Sequence, residues 1–148
     1  ISVYLNSFGV IRQSGFFRQA TLDDIQKYKG SLVTGDQQQN ILQKLRQVMQ
    51  AEKPFLSPDF SLPELAKQIG TTTHILSQVI NEGLGKNFFE MTAEYRVDEA
   101  KRLLIQKRNI KVEEIAEQVG YNSKSSFNTA FKKITGKTPS EFRSADAV

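Results

Sequence analysis

VEEIAEQVGYNSKSSFNTAFKKITGKTPSEFR, residues Val112 to Arg143, is the stretch whose reading decides the fold. Ile115, Ala116 and Val119 fall at helical spacing, and Gly120 then offers the backbone freedom that a helix end uses, so a short helix stops there. Ser123 can cap a second helix, whose apolar residues Phe127, Ala130, Phe131 and Ile134 recur at i, i+3, i+4 and i+7. Two helices joined by a tight turn are expected. At about 100° per residue the opposite face of the second helix carries Ser125, Asn128, Thr129 and Lys132, with Lys124 and Lys133 on its flanks. That face is polar, hydrogen-bonding and basic, with no acid on it. Such a face alone says little, because the outer side of most amphipathic helices is merely solvated.

The same pair of helices is written twice. Leu65-Ala66-x-x-Ile69-Gly70 matches Ile115-Ala116-x-x-Val119-Gly120 at an offset of 50 residues. Further on, Leu76 answers Phe127, Ile80 answers Phe131, and Gly85-Lys86 answers Gly136-Lys137 at an offset of 51, so the second turn is one residue longer. An internal repeat of this kind marks a duplicated structural unit. A helix-turn-helix lays its second helix in the DNA major groove, and successive turns of one groove lie about 34 Å apart. Between the units, Asn87 with Glu90 forms a helix-start signal, and Phe88 to Gln106 reads as one long helix carrying Phe88, Met91, Tyr95, Ala100, Leu103 and Leu104. At 1.5 Å per residue it would be about 28 Å long, the right order to hold two readers in successive groove turns.

The remaining elements follow from the same signals. Ile41, Leu42, Leu45, Val48 and Met49 form an apolar stripe on a helix from about Gln37, capped by Asp36 and ending near Lys53 before Pro54. Phe55 to Phe60, with Pro58 inside, is a connector able to plug a core with aromatic rings. Ser61 with Glu64 reads as a capping box, with Pro63 in the first turn. Thr72 can cap the next helix, where Leu76, Val79 and Ile80 turn inward and His74, Ser77, Gln78 and Asn81 share an outward arc, and Gly83 and Gly85 close it. Lys107 to Asn109 interrupts the long helix, and Thr138, Pro139 and Glu141 open a last short one. The expected fold is all-α: about seven helices in two helix-turn-helix subdomains bridged by a long linker helix, with an extra N-terminal segment.

Composition narrows the chemistry. The 148 residues are 39% hydrophobic and 24% charged, with no cysteine and one histidine, His74, so disulfides, cysteine zinc sites and Ser-His-Asp or Cys-His nucleophiles lack their parts. No constellation supports an enzyme, and no metal or cofactor site is expected. Gly136-Lys137-Thr138 superficially looks like the end of a phosphate-binding loop, but Phe131 stands where that loop needs glycine, and a helix precedes it instead of a strand. The net charge of +4 is unevenly placed: residues 101–143 carry ten Lys and Arg against four acids, whereas residues 37–100 carry six against eight. The basic end is the expected phosphate-facing end.

Over Ile41 to Arg143 the chain resembles the AraC/XylS family of bacterial transcription regulators. The most specific matches are I-A-x-x-V-G-Y at Ile115 to Tyr121 and S-S-F-N-x-x-F-K-K-x-x-G-x-T-P-x-E-F-R at Ser125 to Arg143. S-L-P-E-L-A-K-Q-I-G and L-S-Q-V-I-N fit in the first unit, and R-V-D-E-A-K-R-L-L fits in the connecting helix. The resemblance implies sequence-specific binding of double-stranded promoter DNA, usually activation of transcription with RNA polymerase as a partner, and no small-molecule site in this part. Carried over residue by residue, base contacts fall on His74, Ser77 and Gln78 in the first unit and on Lys124, Ser125, Asn128 and Thr129 in the second. Phosphate contacts fall on Thr72, Ser123, Lys132 and Lys133, with backbone N–H groups at the helix starts. Neither recognition helix carries an Arg, the commonest specific partner of guanine. Gln78, Asn81 and Asn128 could read adenine, and Lys124 could reach guanine, each good bidentate pair being worth roughly 1–3 kcal/mol of discrimination. With Glu82 beside its reader and no Lys or Arg on it, the first unit is expected to bind more weakly.

The expected organisation is residues 1–36 as an N-terminal segment leading from an upstream sensor region, and 37–148 as the DNA-binding domain. Within that domain 37–86 forms the first unit, 87–106 the linker helix and 107–148 the second unit. Ile1 to Ile11 is apolar but interrupted, and Phe16, Phe17 and Tyr28 follow among polar residues. Ile1 in place of an initiating Met leads to the expectation of a piece of a longer protein. Lys27 to Leu32 and Glu52 to Leu56 are similar to a subset of the family in which a multi-spanning membrane region precedes the regulator. That similarity implies a cytoplasmic output domain tethered to the inner membrane. The competing expectation is a helical adaptor in a signalling protein, in which the N-terminal segment and first helix mediate dimerisation.

Overall fold

Short apolar stripes punctuated by caps and turn residues fix where each helix begins and ends. The computed structural model describes residues 33–146. Its elements are α1 (Gly35–Ala51), a 3-10 turn (Pro54–Leu56), α2 (Leu62–Ile69), α3 (Thr73–Leu84), α4 (Phe88–Gln106), α5 (Val112–Gln118), α6 (Lys124–Thr135) and α7 (Pro139–Asp146). Among the described residues there are seven α-helices and no strand, the all-α architecture expected. The expectations placed on Ile1 to Ile11, Phe16, Phe17, Tyr28 and Lys27 to Leu32 lie outside the described residues.

The repeat extends to individual hydrogen bonds. Gly70 takes φ 85° and Gly120 takes φ 98°, and the residue after each donates its N–H across the turn, Thr71 to the Ala66 carbonyl and Tyr121 to the Ala116 carbonyl, both at 2.9 Å. Thr72 then caps α3 by accepting from the Ile75 N–H at 3.2 Å, and Ser123 caps α6 by accepting from Ser126 at 3.1 Å. Each cap fixes the angle at which a second helix leaves its turn.

Four expectations about helix ends change. α1 starts at Gly35, so Asp36 lies in its first turn, where its charge favours the helix N-terminus, and is not the cap. Ser61 stands at the N-cap of α2 but its side chain makes no capping bond, so the expected capping box with Glu64 does not form. Gly83 lies inside α3 and does not end it. A Cβ there would come within 2.8 Å of a Leu42 methyl, so this glycine lets α1 press against α3. Ile134, read as an inward residue, is 38% exposed at the last turn of α6. By contrast, Asn87 and Glu90 make the complete capping box that starts α4, and Thr138 and Glu141 make reciprocal bonds of the same kind at the start of α7.

α4 is the shared wall of both cores. Leu42, Leu45 and Met49 of α1, Leu65 and Ile69 of α2, and Leu76, Val79 and Ile80 of α3 are buried, and Phe88 and Met91 of α4 are buried with them. Farther along α4, Val97, Ala100, Leu103 and Leu104 join Ile115, Ala116, Val119, Phe127 and Phe131 in a second buried cluster. Phe127 and Phe131 have no solvent exposure, and their rings meet edge to face at 5.7 Å. Arg143 of α7 donates to the Leu104 carbonyl at 3.2 Å, closing the end of that cluster over α4. Residues 35–146 belong to one compact unit.

The two turn glycines at Gly85 and Gly120 separate backbone strain from packing. Gly85 has φ 66° with open space where a Cβ would stand, whereas at Gly120 that atom would lie 2.7 Å from the Phe55 carbonyl oxygen, which cannot swing aside. In urea unfolding Gly85→Ala should lose about 1–2 kcal/mol, the left-handed penalty alone. Gly120→Ala should lose on the order of 2–5 kcal/mol, the same strain plus overpacking. Equal losses would contradict this description of the junction.

Candidate nucleic-acid interface

The outward arcs of α3 and α6 are the places where the repeated fold presents polar side chains to solvent. On α3, the cap Thr72 and the first-turn His74 are exposed, while Ser77 and Gln78 are half-buried and Asn81 is exposed. The Gln78 amide donates to the Glu82 carboxylate one turn later at 3.2 Å, so one of its two reading groups is already engaged within the helix.

On α6, Ser123, Lys124, Ser125, Thr129, Lys132 and Lys133 are exposed and Asn128 is half-buried. The Lys124 ammonium sits 2.7 Å from the carboxylate of Glu113 in the first turn of α5, an exposed pair across the helix-turn-helix. The bond from Lys124, aided by a backbone N–H, holds the Glu113 carboxyl below its ordinary pKa. Thr129 donates to the Ser125 carbonyl at 2.9 Å. The Asn128 amide oxygen is buried with no hydrogen-bond partner, the one such side-chain atom among the described residues. A buried amide oxygen without a donor costs about 1–3 kcal/mol, a penalty relieved when the side chain turns outward to meet one.

An open groove of about 820 Å³ runs between the two units. Gly85 and Lys86 after α3, Phe89 and Ala93 of α4, and Ser125 and Thr129 of α6 line it. The turn that follows α3 and the polar face of α6 therefore border one surface, while His74, Ser77 and Gln78 of α3 lie outside this lining. Phe89 is 79% exposed, and with Ile134 it forms an apolar floor between Lys86 and Lys133. Glu90 and Glu94 also line the groove, Lys86 being tied to Glu94 at 2.5 Å, so its two lysines are balanced by two acids; the three lysines of α6, with no acid among them, make that helix itself the basic element.

Sequence reasoning missed Glu113 as the partner of Lys124, which was readable only as an acid in a helix's first turn. Glu82 was placed beside the first reader, but its bond to Gln78 was not. Among the described residues no group of His, Asp and Glu stands close enough together to hold a metal ion, and no helix is long and apolar enough to cross a membrane.

Comparison with known proteins gives one consistent family. The family described as "Helix-turn-helix domain" matches residues 65–145, more than half of the chain. The uncharacterized transcriptional regulatory protein YesN of Bacillus subtilis (strain 168) is 33% identical over 89 residues, 59% of this chain and 24% of the regulator. The chain thus spans about a quarter of that relative's length. The C-terminal domain of AraT, a response regulator from Geobacillus stearothermophilus, superposes with a TM-score of 0.62 at 27% identity, over 78% of this chain and 88% of that one. The DNA-binding domain of AdpA, a global transcriptional factor solved with a target DNA, shares the fold with a TM-score of 0.60 at 23% identity, over 68% and 90% of the two chains. With its repeated capped helix pair, its bridging α4 and this family match, the chain belongs to the AraC-type helix-turn-helix DNA-binding domains of transcriptional regulators.

Proposed function

We propose that residues 37–148 bind double-stranded promoter DNA by placing α3 and α6 in successive turns of the major groove. The observation that carries this reading is the repeat itself: two helix pairs with the same turn hydrogen bond and the same capped second helix, packed on the two halves of one α4. α4, at 19 residues, supplies a strut of about 28 Å between them. AdpA, of the same fold, is described in complex with a target DNA.

Base contacts are assigned to His74, Ser77 and Gln78 of α3 and to Lys124, Ser125, Asn128 and Thr129 of α6. Thr72, Ser123, Lys132, Lys133 and the N–H groups at the starts of α3 and α6 are assigned to phosphates. α6 is the stronger reader, because its charge is uniformly positive while Glu82 shares the face of α3. Asn128 reads adenine after its amide turns out of its unpartnered position, and Lys124 must first leave Glu113. In the longer protein, this domain is the output of an upstream sensor region beginning before residue 37. It acts in the cytoplasm, tethered to the inner membrane, and activates transcription through RNA polymerase.

Selection of bound sequences from random duplexes should yield a bipartite site spanning two adjacent groove turns, with affinity that falls steeply as salt rises. A site confined to one turn would overturn the two-reader assignment, and salt-independent binding would favour an apolar adaptor. Lys132→Ala should weaken binding to all sequences alike. Asn128→Ala should relax preference at one position without lowering the unfolding free energy, because no bond is lost and a buried oxygen without a donor is removed. Equal effects of the two changes on specificity would refute the division of roles.

Glu113→Gln tests whether Lys124 faces DNA. Removing the carboxylate frees the ammonium and takes a negative charge from the rim. Binding should tighten several-fold at low salt, and the slope of log K against log salt should steepen by up to about 1. Unchanged affinity and slope would place Lys124 away from the duplex.

A further inference from the structure

Arg96, near the middle of α4, joins three parts of the fold at one point. Its Nε donates to the Phe55 carbonyl at 2.7 Å and its Nη2 to the Ser57 carbonyl at 3.0 Å, both in the connector between α1 and α2. Its guanidinium also lies over the Tyr121 ring, 5.2 Å from the centroid, in the turn between α5 and α6. The connector is held again one turn along α4, where Lys53 pairs with Glu99 at 3.0 Å. From the other side Gly120 presses against the same Phe55 carbonyl, so closely that no Cβ fits. One arm of the junction runs to the α6 reader and the other into the core of the first unit. Phe55 is buried against Tyr95 at 5.4 Å in the first unit, and Tyr121 packs on Phe127 of α6 at 5.5 Å.

The cores packed on α4 set the distance between the units and the face each occupies. Lateral bonds between the units resist the rocking that apolar packing leaves. A planar guanidinium satisfying two carbonyls in a fork, while stacked on a ring, resists rotation in a way that an apolar contact of equal area does not. Arg96 forms no ion pair among the described residues, so its positive charge is spent on backbone dipoles and an aromatic face.

We propose that Arg96 is a positioning residue that locks the orientation of α6 relative to α3, and so sets the spacing between half-sites that the domain accepts. The inference rests on the two-reader function above. A locked pair gives the second reader a high effective concentration once the first has bound. A loose pair loses that advantage and also tolerates wrong spacings.

The test uses the full 148-residue chain, the bipartite duplex obtained by selection, the same duplex with one or two base pairs inserted between its halves, and a single half-site. The parent chain should lose on the order of tenfold in affinity per insertion. Arg96→Met, which keeps an aliphatic stem against Tyr121, should bind the original duplex about tenfold more weakly. It should also show an insertion penalty of only about two- to threefold and bind the single half-site within about twofold of the parent. Should Arg96→Met fail to fold, as judged by far-ultraviolet dichroism, Arg96→Lys, which keeps the charge and loses the fork, carries the same test. An unchanged insertion penalty overturns the proposal, and so does a matching loss on the single half-site, which a merely structural role would produce. A parent chain indifferent to spacing would instead overturn the two-reader function itself, and this inference with it.

Discussion

Helices of seven or eight residues do not persist in water by themselves, because nucleation is unfavourable and few bonds follow it. α5 has seven residues and α2 has eight, so each helix-turn-helix depends on burying its apolar stripe against something longer. That something is α4. Its first half closes the α1, α2 and α3 core through Phe88 and Met91, and its second half closes the other core through Val97, Ala100, Leu103 and Leu104. The capping box at Asn87 and Glu90 therefore starts the one helix on which both units rely.

Sharing one helix couples stability to geometry. Two independent domains on a linker would each fold and then search for their half-sites separately. Here the cores that stabilise the units also hold them at a fixed separation, and the Arg96 junction adds directional bonds to that packing. The groove between the units follows from this arrangement, because it is lined by the first turns of α4, the turn that precedes them and one face of α6.

Much of this was legible in the sequence, because local chemistry decided it. Thr72 and Ser123 cap as read, the turns fall at Gly70 and Gly120, and α4 runs from Phe88 to Gln106 as the apolar pattern required. The failures came where tertiary context overrode a local rule. Gly83 looked like a helix stop because the Leu42 side chain that needs the space lies 41 residues away in sequence, and Ser61 has the right spacing to Glu64 yet makes no capping bond. The polar faces were legible as faces, but their present partners were not. Nothing in the order of residues announces that Lys124 rests on Glu113, that the Asn128 oxygen is buried unpaired, or that Arg96 reaches carbonyls in a preceding loop.

The central claim is that one chain carries two readers held to grip the same face of a duplex. Hydroxyl-radical footprinting of the bound DNA addresses it most directly. The account predicts two protected windows on one face of the helix, centred about 10 base pairs apart, with the window under α6 persisting to higher salt than the window under α3. A single window, or two on opposite faces, would contradict it.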